Sequence, residues 1–80
     1  MKTTAYFNHM RKRPDRAIIK DEWIARAIRF AEKTEIQFDG RIRKRAWIPE
    51  EGKFLRVILL EDGETVHNAF FDRSFRGGGP

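Results

Sequence analysis

The chain has no cysteine and only two histidines, His9 and His67, in 80 residues. No disulfide can staple so small a domain, and a structural zinc site, which takes four ligands rich in Cys and His, lacks donors. Neither a metal nor any other cofactor is expected. No apolar run approaches the ~20 residues that span a bilayer, and the N-terminus has no hydrophobic signal region. A soluble cytoplasmic protein with no membrane partner is the expectation. There is no glycine-rich phosphate loop, no G-x-S-x-G turn and no close pair of acids set for glycoside chemistry. The catalytic classes that remain need only His, Arg, Lys or Tyr, and Tyr6 is the one tyrosine.

What the chain has in excess is positive charge. Seventeen Lys and Arg stand against 12 Asp and Glu, a formal net charge of +5. Eleven of the cations are arginine, whose planar fork suits phosphate and carboxylate alike. The sign is unevenly placed. Lys2, Arg11, Lys12, Arg13 and Arg16 face only Asp15 in the first stretch, and Arg41, Arg43, Lys44 and Arg45 follow one another without an acid. The acids collect at turn-like positions: Asp39, Glu50, Glu51, Glu61, Asp62 and Glu64. Such separation sets up a field that suits RNA, another polyanion or an acidic protein segment.

Residues 4–13 read as a short helix, capped by Thr3 or Thr4, with Tyr6 and Met10 on one face and Pro14 as its stop. A second helix starts at Asp21 as N-cap. Trp23, Ala27 and Phe30 form one ridge of its apolar stripe, and Ile24, Ile28 and Ala31 the next. After Thr34 the period changes to two. The runs TEIQF, RIRKRAWI, FLRVILL and TVHNAFF are separated by DG (39–40), PEEGK (49–53) and EDGE (61–64), and Asp-Gly between strand-like runs signals a hairpin. The expected architecture is α+β, with two N-terminal helices packed on one face of a four-stranded antiparallel meander, α-α-β-β-β-β. It forms a single domain over 1–73, followed by a flexible glycine-rich tail over 74–80.

A turn at Asp62-Gly63 pairs Leu59 with Val66, Val57 with Asn68 and Leu55 with Phe70. Ile48 opposite Leu55 then sets Ala46 against Val57 and Lys44 against Leu59. This register sends Ile36, Phe38, Ile42, Ala46, Ile48, Leu55, Val57, Leu59, Val66 and Phe70 toward the helices. The open face keeps Arg43, Arg45, Trp47, Arg56, Ile58, Leu60, His67 and Ala69, with Phe71 at its edge. A one-residue slip would bury Arg43, Arg45 and Arg56 together, which excludes it. Asn68 is expected in the core, bonded to a helix end or to backbone, and Trp47 opposite Arg56 in a cation–π contact.

Two constellations carry chemistry. On the sheet, Arg43, Arg45 and Arg56 can neutralise phosphates, Trp47 can stack on a base, and His67 can move a proton. A solvated sheet face is the plainer account of the same alternation. On the first helix, His9 near Arg11, Arg13 and Arg16 can act in metal-free RNA cleavage, with guanidinium groups offsetting charge on the phosphorane. A cationic last turn that complements the helix dipole is the plainer account there. Asp15 is expected to weaken that site by pairing with Arg11 or Arg16.

His9, Arg13, the IIKDEWI stretch, DGR (39–41), LRV (55–57) and TVHNAF (65–70) together resemble a family of small bacterial proteins grouped with the RelE/ParE-like and BrnT-like toxins. The resemblance spans roughly residues 6 to 73. It implies helices on one face of an antiparallel sheet, an open basic face, RNA cleavage or gyrase poisoning, and pairing with an acidic antitoxin. Its residue matches are His9, Arg13, Arg41 and Arg56. The C-terminal catalytic tyrosine of RelE-type members has no counterpart. The expected function is an RNA-binding, toxin-like domain and a candidate metal-independent ribonuclease. His9, His67 and Arg56 would be catalytic, and Arg13, Arg41, Arg43, Arg45 and Trp47 would bind nucleic acid. The alternative is a non-enzymatic module whose basic face engages an acidic protein such as an antitoxin.

Overall fold

The computed structural model describes residues 1–73, so the tail expected over 74–80 lies outside the described residues. The elements are α1 (Ala5–Met10), α2 (Pro14–Ala17), α3 (Asp21–Phe30), β1 (Lys33–Ile36), β2 (Ile42–Ile48), β3 (Lys53–Leu59) and β4 (Val66–Asp72). The strands form one antiparallel sheet in the order β1-β2-β3-β4. This is the expected α+β meander, with an extra helical turn.

Thr4 caps α1: its Oγ1 accepts the Phe7 N–H at 3.1 Å, satisfying an otherwise orphaned donor. The helix ends at Met10, earlier than expected, and Phe7 is its buried residue. Pro14 also begins α2, at the first helical position, where its missing N–H costs nothing. Asp21 is the first residue of α3, and the cap position belongs to Lys20. There the Asp21 carboxylate meets the positive end of the helix and pairs with Arg11.

α3 buries Trp23, Ile24 and Ala27, but Phe30 is 70% exposed. The sheet residue reaching toward that end of the helix is a lysine. Lys44 Nζ donates to the Ile28 carbonyl at 3.1 Å, so the negative end of α3 receives a cation and Phe30 has no apolar bed.

α3 packs on β2 and β3, while α1 runs beside β4. Between them Phe7, Trp23, Ile24, Ile48, Leu55, Val57, Leu59 and Val66 make the core, closed by Ala27, Ala46 and Ala69. Fully burying a Leu, Ile or Val stabilises the fold by about 2 kcal/mol each. Ile36 and Phe38 do not join this core. They are 78% and 110% exposed, because α3 covers β2 and β3 and leaves the far end of β1 bare.

Two registers differ from expectation, with unequal consequences. β2 and β3 pair Ile42 with Leu59, Lys44 with Val57 and Ala46 with Leu55, a shift of two residues. An even shift leaves every side chain on its expected face. Between β3 and β4, Leu59 does pair with Val66, but the ladder then jumps to Ile58–Asn68, Val57–Ala69, Arg56–Phe70 and Leu55–Phe71. His67 is the extra residue of a β-bulge.

Beyond the bulge the two faces of β4 exchange. Ala69 is buried and Phe71 packs on the core, while Asn68, Phe70 and Asp72 share a face with Ile58, Arg56 and Phe54. Without the bulge, Asn68 and Asp72 would enter an apolar core, where an unpaired amide or carboxylate costs several kcal/mol, roughly. The N-terminal segment closes part of the β4 edge. Thr4 N–H donates to the Val66 carbonyl at 3.0 Å, and Val66 N–H to that of Lys2 at 2.9 Å.

Candidate functional site

On the open face, Glu35, Arg43, Ile58 and Asn68 form one row across the strands. Lys33, Arg45, Arg56 and Phe70 form the next, and Trp47, Phe54 and Asp72 the third. The arginine row is knitted into the protein. Glu35 Oε1 lies 2.6 Å from an Arg45 nitrogen and 3.2 Å from one of Arg43. Asp72 Oδ2 accepts from Arg45 Nε at 3.1 Å and from Arg56 Nε at 3.0 Å. Arg45 and Asp72 are 7% and 6% exposed. Hydrogen bonding from Arg45, the largest influence, holds the Glu35 carboxyl below its ordinary value against the opposing effect of burial. Among the described residues, these three guanidiniums thus share two carboxylates.

Trp47 stands opposite Phe54 instead of Arg56, in an edge contact at 5.1 Å between ring centroids. It remains 42% exposed. The cation–π partner of Arg56 is Phe70, at 5.1 Å. Arg16 of α2 sits 5.1 Å from the same ring and donates to Asn68 Oδ1 at 2.7 Å. Asn68 is therefore not in the core, but its Oδ1 does accept a backbone N–H, that of Ala69 at 2.9 Å, beside the Arg16 bond.

Beside the arginine network lies a cleft of about 470 Å³. Ile58 and Phe70 give it apolar walls, Arg41 and Arg56 its cations, and Gln37 and Asn68 its amides. Tyr6 and His67 close one side, with Asp39 beside Arg41. Each functional side chain arrives from a different element. Arg41 follows the Asp39-Gly40 turn, where Asp39 Oδ1 accepts the Arg41 N–H at 3.0 Å. Gly40 has φ of 89°, a value few other residues adopt. Arg56 comes from the middle of β3, and the bulge sets His67 and Asn68 on the cleft side together.

His67 Nδ1 lies 3.1 Å from Thr4 Oγ1, the same oxygen that caps α1. When Nδ1–H is donated to Thr4, Nε2 keeps a free lone pair. Burial, and then the Arg41 charge, hold the ring below its ordinary pKa of 6.5, with Asp39 opposing. Both influences favour the uncharged imidazole, the form that can accept a proton. An uncharged imidazole beside two guanidiniums can take a proton from a hydroxyl next to a bound phosphate.

No protein family, curated protein or solved structure matches this chain. Three of the expected site residues, Arg41, Arg56 and His67, line the cleft together. Arg43 and Arg45 lie on the same sheet face but are engaged by Glu35 and Asp72. Trp47 is on that face, in the third row, and does not line the cleft. His9 is exposed in the last turn of α1 and does not line it either. Arg13 is also exposed, with Asp15 at 3.7 Å, and Asp15 lies 3.5 Å from Arg16. Arg11 pairs with Asp21 instead. Among the described residues no cluster of three or more His, Cys, Asp and Glu side chains is placed to hold a metal ion, and no helix is long and apolar enough to cross a membrane.

Tyr6 and Gln37 are cleft residues outside the expected site, and Asn68 and Phe70, expected in the core, line the cleft too. For Asn68 and Phe70 a signal was present. Val66, Ala69 and Phe71 are spaced three and then two apart, the pattern of a strand that keeps its apolar residues inward across a bulge. Tyr6 had no such signal, because its neighbour is sixty-odd positions away in the chain.

Proposed function

We propose that this chain binds single-stranded RNA in the Arg41–Arg56–His67 cleft and cleaves it without a metal, as a toxin-like ribonuclease. The observation that carries the reading is the convergence of those three side chains from a turn, a strand and a bulge onto one cleft. His67 Nε2 takes the proton of a ribose 2′-hydroxyl, and the freed oxygen attacks the adjacent phosphorus. The bond from phosphorus to the 5′-oxygen breaks, and that oxygen leaves with the electron pair and takes a proton from water. The products are a 2′,3′-cyclic phosphate and a 5′-hydroxyl end. Arg41 and Arg56 offset the charge gathered on the phosphoryl oxygens. Trp47, exposed beside Phe54, offers a stacking surface in the third row of the sheet. Arg43 and Arg45 contribute field and rigidity to the same sheet face. The toxin part of the reading rests on the resemblance running from His9 to the TVHNAF strand.

The test combines binding with cleavage. Affinity for a single-stranded oligoribonucleotide should fall steeply with log[salt]. Arg41→Gln should weaken binding, and His67→Asn should abolish cleavage while leaving binding in place. A flat salt profile would sink the RNA reading, and cleavage unaffected by His67→Asn would remove the mechanism. Inducible expression in a bacterium should arrest growth and degrade RNA. Harmless expression would remove the toxin assignment.

A second reading has its own observation. Phe30, Ile36 and Phe38 are exposed beside β1, an edge strand of the sheet among the described residues, a combination that suits strand addition by a protein such as an acidic antitoxin. Co-purification with a small acidic partner, lost on Ile36→Lys, would support it.

A further inference from the structure

We infer that a second phosphate subsite lies across Phe70 from the His67 cleft, so that the chain takes a strand of several nucleotides and not a mononucleotide. The inference rests on the RNA reading of that first cleft. A separate cavity of about 350 Å³ opens between α2 and the end of β4. Phe70, Phe71 and Ile18 give it apolar walls, and Arg16, Lys53 and Arg73 surround it with one acid, Asp15.

Phe70 walls both cavities. Its ring meets both Arg56, which lines the first, and Arg16, which lines the second, each at 5.1 Å. Arg16 in turn donates to Asn68, a residue of the first cleft, at 2.7 Å. One aromatic ring and one hydrogen bond therefore connect the linings of the two spaces. A partly exposed aromatic edge shared by two cation-lined cavities gives a base an apolar contact while its flanking phosphates meet the cations.

The charges of the second cavity point the same way. Lys53 Nζ sits 5.4 Å from the Phe71 ring centroid, and no carboxylate pairs with Lys53 or Arg73 among the described residues. Asp15 is already shared by Arg13 and Arg16. Contrast the sheet network, where every arginine has a carboxylate partner. Cations gathered around a cavity without their own counter-charges raise the local concentration of an anion there. Because Phe70 joins this cavity to the first, the anion in question is the next phosphate of the same strand.

The experiment measures binding of a labelled single-stranded octaribonucleotide across a salt series, and of a 3′-mononucleotide in parallel. Lys53→Gln combined with Arg73→Gln should lower the log–log salt slope for the octamer by about 1.4, at ~0.7 per lost phosphate contact. It should leave mononucleotide affinity unchanged. Lys12→Gln with Lys20→Gln removes equal charge away from both cavities and should not move the slope. An unchanged slope in the Lys53/Arg73 variant, an equal fall in the Lys12/Lys20 variant, or a matching loss of mononucleotide binding would each overturn the second subsite. If octamer binding depends on Arg41 but not on Lys53 and Arg73, this inference alone fails. If the wild-type chain binds neither probe, the RNA reading fails with it. Circular dichroism checks that each variant folds.

Discussion

Tyr6 lies nearly flat on His67, with ring centroids 4.8 Å apart and planes inclined by 21°. The contact ties α1 to the bulge of β4 and fixes one wall of the cleft. An aromatic pair of this kind is worth roughly 0.5–1.5 kcal/mol. Tyr6→Ala should therefore lower kcat/KM on RNA by up to about tenfold, through loss of positioning of the imidazole. Tyr6→Phe should retain activity. Equal losses in the two variants would show that the phenol hydroxyl, not the stacked ring, matters.

His67 supplies a pH dependence with a definite sign. Burial and the Arg41 charge hold the imidazole below 6.5. A general base must be unprotonated, so cleavage should rise with pH and level off, with its midpoint below 6.5. The folded state binds that proton less readily than the unfolded chain. The stability contribution of this group is thus complete above 6.5 and declines as pH falls through the window beneath it. Following the ring protons by NMR checks both. A midpoint above 6.5 would contradict the site electrostatics.

Asp72 is the hub of the open-face network, buried and accepting from Arg45 and Arg56. Removing one partner of a buried ion pair leaves uncompensated charge, at a cost of about 3–5 kcal/mol. Asp72→Ala should lower the urea midpoint accordingly. Glu35→Gln should cost less, because its side chain is 34% exposed and water screens the loss. Reversal of that order would place the hub elsewhere.

The β3–β4 turn depends on Asp62. Its Oδ1 accepts the N–H groups of Glu64 and Thr65 at 2.9 Å, and Oδ2 accepts the Thr65 hydroxyl at 2.5 Å. Bonding from the Thr65 side chain, then from the two N–H groups, lowers the carboxyl from 3.8 to about 2. This stability is present above 3.8 and is lost as pH falls toward 2. Asp62→Ala should make acid unfolding less steep across that window. Carbonyl-detected NMR titration of Asp62 gives the value directly.

Ile36 and Phe38 test the boundary of the core. Both are exposed, so Ile36→Thr and Phe38→Ser should change stability by no more than about 0.5 kcal/mol. Leu55→Ala, in the fully buried layer, should cost about 2–5 kcal/mol in the same denaturation series.

The residues by themselves determined two of the three helices among the described residues, the four strands and their antiparallel order, because apolar period, capping residues and Asp-Gly turns are local properties. They also determined which face of β2 and β3 carries the arginines, since even an incorrect register of two residues preserves parity. Three things waited on the tertiary structure. The bulge at His67 decided the faces of Asn68, Ala69, Phe70, Phe71 and Asp72, because keeping Asp72 out of the core outweighs one broken ladder step. The pairing of Arg45 with both Glu35 and Asp72 turned part of an apparent phosphate platform into a scaffold, an outcome no spacing along the chain encodes. The position of α1 beside β4 set Tyr6 on His67 and left His9 outside the cleft, because only packing joins two ends of a chain so far apart in sequence.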